Sequence, residues 1–209
     1  MVLAGCAGGS VERILAKAYP TTEGHIAEEQ VPQTDRSDSM VKVGEISMVV
    51  TTNSERMVSL SVNLLGVLPI RETYSSHRLT KSDPLRIDIE MSAVRPGYVL
   101  RTIRGEALLV DGNRIRMSKQ EVTVGRCGFA ARHTMSVGEL DWQIPVSPSP
   151  VDQIDKAYVP LCISLIFPEF ISPERLTGLD LGLLAYPDGS SNEIDFSFRP
   201  AQLSRRNLP

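Results

Sequence analysis

Aromatic side chains are scarce in this chain, 5% of 209 residues with a single tryptophan, Trp142. That excludes a stacking surface of the kind that binds single-stranded nucleic acid. There is no basic excess either. The formal net charge of −3 lacks the cationic footprint of a nucleic-acid binder, so no nucleic-acid partner is expected. Long apolar runs are absent. The best stretch, Leu161 to Phe167, stops at Pro168 and falls far short of the roughly 20 residues a membrane helix needs. Histidine is rare and scattered, at His25, His77 and His133, with no His-x-x-x-His pair and no Cys-x-x-Cys. No metal site has local spacing in its favour, and none is expected. No Gly-x-Ser-x-Gly elbow occurs. The glycines of Gly178-Leu179-Asp180-Leu181-Gly182 lack the Lys-Ser/Thr of a phosphate loop and read as turn glycines. No catalytic residue and no cofactor are therefore assigned.

Charged residues that could form a site fall in two groups. Asp83, Asp88 and Glu90 lie close in sequence, and the last two share one strand face, the usual position of solvated charge. Arg101, Arg104, Arg114 and Arg116 flank one predicted hairpin. They read as a solvated sheet face diluted by Glu106 and Asp111, with an anion-binding patch as the other reading.

The N-terminus is distinctive: MVLAGCAGGS. Leu3-Ala4-Gly5-Cys6 resembles the lipobox of bacterial lipoproteins. In that family a small-residue site precedes a cysteine whose thiol accepts a lipid, and cleavage leaves the cysteine as the first mature residue. The resemblance implies lipidation at Cys6 and a membrane attachment through the lipid. With Ala7 rather than aspartate after the cysteine, it also implies the outer membrane, facing the periplasm. The match covers about the first ten residues. Only five residues precede Cys6 and none is basic, so the export reading requires Met1 to lie within a longer signal peptide. Taken literally, Met1 gives a chain that stays in the cytoplasm or a virion. Three cysteines are an odd number; with Cys6 lipidated, Cys127 and Cys162 remain. In an oxidising compartment they form a disulfide that bridges two sheets. In a reducing one they stay as separate buried thiols.

Residues 10–18 predict a short helix, with Ser10 as N-cap and Pro20 as terminator. The polar stretch from Thr21 to Ser39 has no period and reads as a tether. Residues 1–39 are then an anchor and tether, and residues 40–209 one folded domain. From Met40 onward the signals are strands. Residues 57–64 nearly alternate, and Leu85 to Met91 alternates cleanly. Residues 107–110 and 114–117 form a hairpin about Asp111-Gly112-Asn113. Val122 and Val124 lie in phase, and Glu139 to Ile144 alternates. Leu161 to Phe167 is a buried strand, and Ile194, Phe196 and Phe198 point inward from a closing strand.

About ten short strands punctuated by turns predict a mainly β fold: an antiparallel β-sandwich, Ig-like or jelly-roll-like, with a short N-terminal helix and a flexible tether. The functional expectation is a non-enzymatic scaffold, adaptor or binding module anchored in the envelope, with envelope or assembly proteins as partners. The alternative is a non-exported β-sandwich that self-associates as a homo-oligomer, of viral matrix or capsid type.

Overall fold

The computed structural model describes residues 9–20, 33–34, 38–64, 68–72, 83–128, 141–147 and 159–207. Every regular element among them is a strand: β1 (Gly9–Pro20), β2 (Gln33–Thr34), β3 (Ser39–Val43), β4 (Ile46–Thr52), β5 (Glu55–Leu64), β6 (Leu68–Glu72), β7 (Arg86–Ala93), β8 (Val99–Leu109), β9 (Arg114–Arg116), β10 (Lys119–Val124), β11 (Trp142–Gln143), β12 (Leu161–Ile166), β13 (Leu176–Ala185) and β14 (Ser191–Asn207). They form two sheets. The larger runs β11-β8-β13-β14-β1-β5-β6, with β9 added beside β8 and β2 beside β14. The smaller runs β10-β12-β7-β4-β3. Neighbouring strands are antiparallel except β2, which runs parallel to β14.

The sequence makes this arrangement by period-two burial. In the smaller sheet, Ile87, Ile89 and Met91 of β7 are fully buried, as are Ile46 and Met48 of β4 and Ile163 and Leu165 of β12. In the larger sheet, Leu100 and Ala107 of β8, Leu179, Leu181 and Leu184 of β13, and Ile194, Phe196 and Phe198 of β14 face them. These side chains form one continuous core between the sheets. The predicted mainly β, sandwich-like fold is what the chain adopts.

The hairpin forms as the turn residues dictate. Leu108 pairs with Arg114, and Gly112 takes the positive φ of 81° that the tight turn needs. The Asp111 carboxylate accepts the Asn113 backbone N–H at 3.0 Å and its side-chain amide at 2.9 Å.

Three local expectations are corrected. Residues 10–18 are not a helix but part of β1, which pairs with β14 along its whole length and with β5 from Gly9 to Leu15. Helix propensity differences among these residues are at most about 0.7 kcal/mol each. Two hydrogen-bonded flanks and the burial of Leu15, Ala16 and Ala18 outweigh them. The segment therefore belongs to the sheet, and the chain from Thr21 onward connects β1 to β3. Val124 does not follow Val122 inward: it is 65% exposed, where β10 ends and the chain turns at Gly125. Gly178 and Gly182 are not turn glycines but lie within β13. A Cβ on Gly178 would stand 2.8 Å from Leu108 Cδ1 and 3.1 Å from the Phe196 carbonyl, so the close approach of three strands requires glycine there.

Because β1 fills the slot between β14 and β5, removing residues 1–20 is expected to destroy cooperative unfolding. A tether of that length would be dispensable. Urea unfolding and the dispersion of an amide NMR spectrum distinguish the two.

Candidate functional site

On the outer face of the smaller sheet, strand register pairs Glu90 with Cys162 and Asp88 with Ser164. Cys162 is joined to Cys127 in a disulfide, with Cα atoms 5.2 Å apart. Cys127 lies just after β10, the neighbour of β12, so the bridge is a clasp within one sheet. The expected link between two sheets is thereby corrected, because the face that carries Cys162 points away from the core shared with the larger sheet. The Cys127 backbone N–H donates to Glu90 Oε1 at 2.8 Å. The Ser164 hydroxyl donates to Asp88, which also accepts the Arg86 Nε at 2.9 Å. Asp88 and Glu90 are thus half-buried under the clasp rather than solvated. Burial pushes the Glu90 carboxyl above its ordinary value, against the Cys127 N–H and the Arg126 charge. Every group here is occupied in holding another, which is a structural role.

The larger sheet carries a different arrangement. Glu106 of β8, Asp180 of β13 and Asp195 of β14 stand abreast, since Asp180 pairs with both of the others in register. Three like charges in cross-strand positions repel one another. Two arginines partly offset them. Arg104 reaches Asp180 Oδ2 at 3.2 Å and Glu193 Oε1 at 2.6 Å. Arg114 reaches Glu106 at 3.3 Å. Arg104, Arg114, Asp180, Glu193 and Asp195 border a shallow groove of about 340 Å3, with Leu108 and the bare backbone of Gly178 among its walls. Asp180 is only 8% exposed, and its second oxygen, Oδ1, is buried without a hydrogen-bond partner. Burial raises the Asp180 carboxyl above its ordinary value, with the Arg104 charge opposing and the neighbouring acids reinforcing the rise. Asp195 is raised by burial and then by Glu193.

The arginines around the hairpin, read as a solvated sheet face with an anion-binding patch as the other reading, belong in part to a mixed cluster with more carboxylates than guanidiniums. Arg104 and Arg114 border the groove; Arg101 and Arg116 are exposed and do not line it. Asp83 is exposed and apart from Asp88 and Glu90. Cys6, His25, His77 and His133 lie outside the described residues. Among the described residues no group of three or more His, Cys, Asp or Glu is placed to hold a metal ion. The spacing Ser39-x-x-Lys42, which matches a Ser-x-x-Lys motif, brings nothing together: on β3 the two alternate, with Ser39 buried against the Ala18 N–H and Lys42 exposed. Sequence reasoning missed the row formed by Asp180 and Asp195. The alternation Leu179-Asp180-Leu181 was the available signal for an outward Asp180, but its neighbours depend on pairing between β8, β13 and β14.

No family model, no curated protein and no solved structure matches this chain.

Two outcomes are expected. Replacing both Cys127 and Cys162 by alanine opens a loop of 35 residues in sequence. In the chain-entropy picture this loses about 4 kcal/mol, readable as a lowered urea midpoint. The second concerns pH. Asp180 and Asp195 bind protons more tightly folded than unfolded. Their contribution to stability is thus present below the ordinary aspartate value of 3.8 and lost as pH rises through the raised folded values. Asp195→Asn is accordingly expected to raise the melting temperature at pH 7, with the gain shrinking as the pH approaches that of aspartate. Paired thermal melts check this.

Proposed function

We propose that the chain is an envelope-anchored, non-enzymatic adaptor or binding module that operates in an oxidising compartment. The observation that supports this best is the Cys127–Cys162 disulfide. Disulfides persist in secreted and periplasmic proteins and are rare in the reducing cytosol. The pairing accounts for two of the three cysteines of the sequence, and the third, Cys6, is the position that resembles a lipobox.

The fold gives the anchor a consequence. β1 begins at Gly9, three residues after Cys6, a reach on the order of 10 Å. An acylated Cys6 therefore holds the start of β1 close to the bilayer instead of releasing the domain on a long tether.

Contact with partners fits the strand edges and the loops between them. β3 and β10 bound the smaller sheet, and no further strand pairs with them among the described residues. Exposed Met40 and Val94 border a groove of about 340 Å3 beside β3, a surface suited to strand addition. The same open edges favour the second reading, a non-exported sandwich that self-associates edge to edge as a homo-oligomer.

Intact mass of the protein expressed from its own gene, upstream DNA included, decides between them. The expected species begins at Cys6 and carries added acyl mass. An unacylated species that begins at or next to Met1 overturns the anchored reading, and sedimentation of that species then tests self-association.

A further inference from the structure

We infer that the Cys127–Cys162 bridge is a thiol–disulfide exchange site, opened by a dithiol that attacks the Cys127 sulfur, and that opening it releases the turn at residues 125–128 from Glu90. The inference goes beyond the adaptor reading and shares with it only the existence of the bridge.

Three observations carry it. The first is access. Cys162 lies inside β12 and is 3% exposed, whereas Cys127 is half-buried in a turn and precedes exposed Gly128. Exchange depends on which sulfur a thiolate can reach, and here that is the sulfur of Cys127. The second is the local nature of what the bridge holds. Gly125 and Gly128 bound the turn with positive φ of 126° and 82°, and a Cβ on Gly128 would meet nothing within 4 Å. The backbone of the turn is held by Gly125 N–H to the Pro160 carbonyl at 2.7 Å and by Cys127 N–H to Glu90. Neither cysteine belongs to the core cluster between the sheets, and the six register pairs of β10 with β12 do not include Cys127. The bond can therefore open while the sandwich stays folded. The third is a place for the product. Ser164 Oγ lies 3.9 Å from Cys162 Sγ, so the buried thiol formed on opening has an acceptor beside it.

The exchange balances as follows. One thiolate of the dithiol attacks Cys127 Sγ, the bond to Cys162 breaks, and its electron pair leaves on Cys162 Sγ, which takes up a proton. The second thiol of the reagent, as thiolate, then attacks its own sulfur in the mixed disulfide. Cys127 leaves with the electron pair and is protonated in turn. Two electrons and two protons have passed to the protein, and the dithiol has become a disulfide. A monothiol stops at the first step, where Cys162, held beside the turn, closes the bridge again. With the bridge open, the Cys127 N–H is no longer pinned over the half-buried Glu90 carboxylate. Redox state is thereby coupled to the cover of the polar strip on the smaller sheet.

The test uses the full, oxidised, unacylated chain with Cys6 first blocked by iodoacetamide. After brief exposure to glutathione, quenching with N-ethylmaleimide and peptide mass mapping are expected to find glutathione on Cys127 and maleimide on Cys162. Dithiothreitol is expected to open the bridge in the folded protein, at a rate that does not respond to urea below the unfolding transition. In amide NMR spectra Glu90, Cys127 and Gly128 then shift, while Leu179 and Phe196 of the larger sheet stay in place. Glutathione on Cys162, or a rate that climbs with urea as global unfolding does, overturns the site. Unmoved amides at Glu90 and Cys127 in the reduced protein overturn the release of the turn. A bridge that forms but resists dithiothreitol overturns this inference alone. A protein with no bridge to open overturns it and also removes the support for an oxidising compartment.

Discussion

The double pairing of β14 is the constraint on which the larger sheet depends. Over Ser191–Ser197 one edge of this 17-residue strand holds β13, and over Phe196–Asn207 the other edge holds β1. Without β1, twelve residue positions of β14 lose a partner, and β5 and β6 lose their link to the rest. The two partners come from opposite ends of the chain, with Gly9 in register with Asn207. The sheet therefore joins segments almost 200 residues apart, and most of its pairing is non-local. Such topologies form slowly, because loop-closure entropy is spent before the contacts return it. Phe196 and Phe198 on β14 and Ala16 and Ala18 on β1 are buried where these strands meet the core, so pairing and packing enforce one another.

That closure explains why the disulfide is a clasp. The two sheets are already joined by a continuous core of Ile, Leu, Met and Phe side chains, and a covalent link between them has little left to constrain. The outer face of the smaller sheet is the less secure region. Cys162 and Ser164 are buried there beside half-buried Asp88 and Glu90. The loop after β10 covers this polar strip, and the Cys127 N–H satisfies Glu90 in doing so. The bridge keeps the loop in place, so the carboxylate retains its donor. A compartment that permits the bond thus supports a polar layer that hydrophobic burial does not hold.

The strands of the smaller sheet were legible because burial there follows simple alternation. Ile87, Ile89 and Met91 are a plain period-two signal, and the Asp-Gly-Asn turn carries its own geometry. β1 was not legible, since Leu15-Ala16-Lys17-Ala18 favours a helix locally and nothing within it specifies the partners that override this preference. Val124 misled for a related reason: its period matches Val122, but the ladder ends at Leu161 and removes the cover. Glu106 and Asp180 were each visible as charged residues. Their adjacency was not, because it arises from register between segments more than 70 positions apart.

The same register makes the acidic row a local conflict in an otherwise consistent sheet. Cross-strand neighbours on an outer face are free to be threonine, valine or alternating charges, all of which fit better than three carboxylates abreast. Here the mismatch coincides with a strand glycine at Gly178, which is also unfavourable in a strand interior, and with an aspartate oxygen stripped of water. Elsewhere on the described surface, carboxylates such as Glu45 and Asp111 have their donors at hand and are pulled below their ordinary values. The sheet is therefore well matched electrostatically at its turns and poorly matched at one groove. Local costs that a simpler sequence would avoid cluster where a protein meets something outside itself.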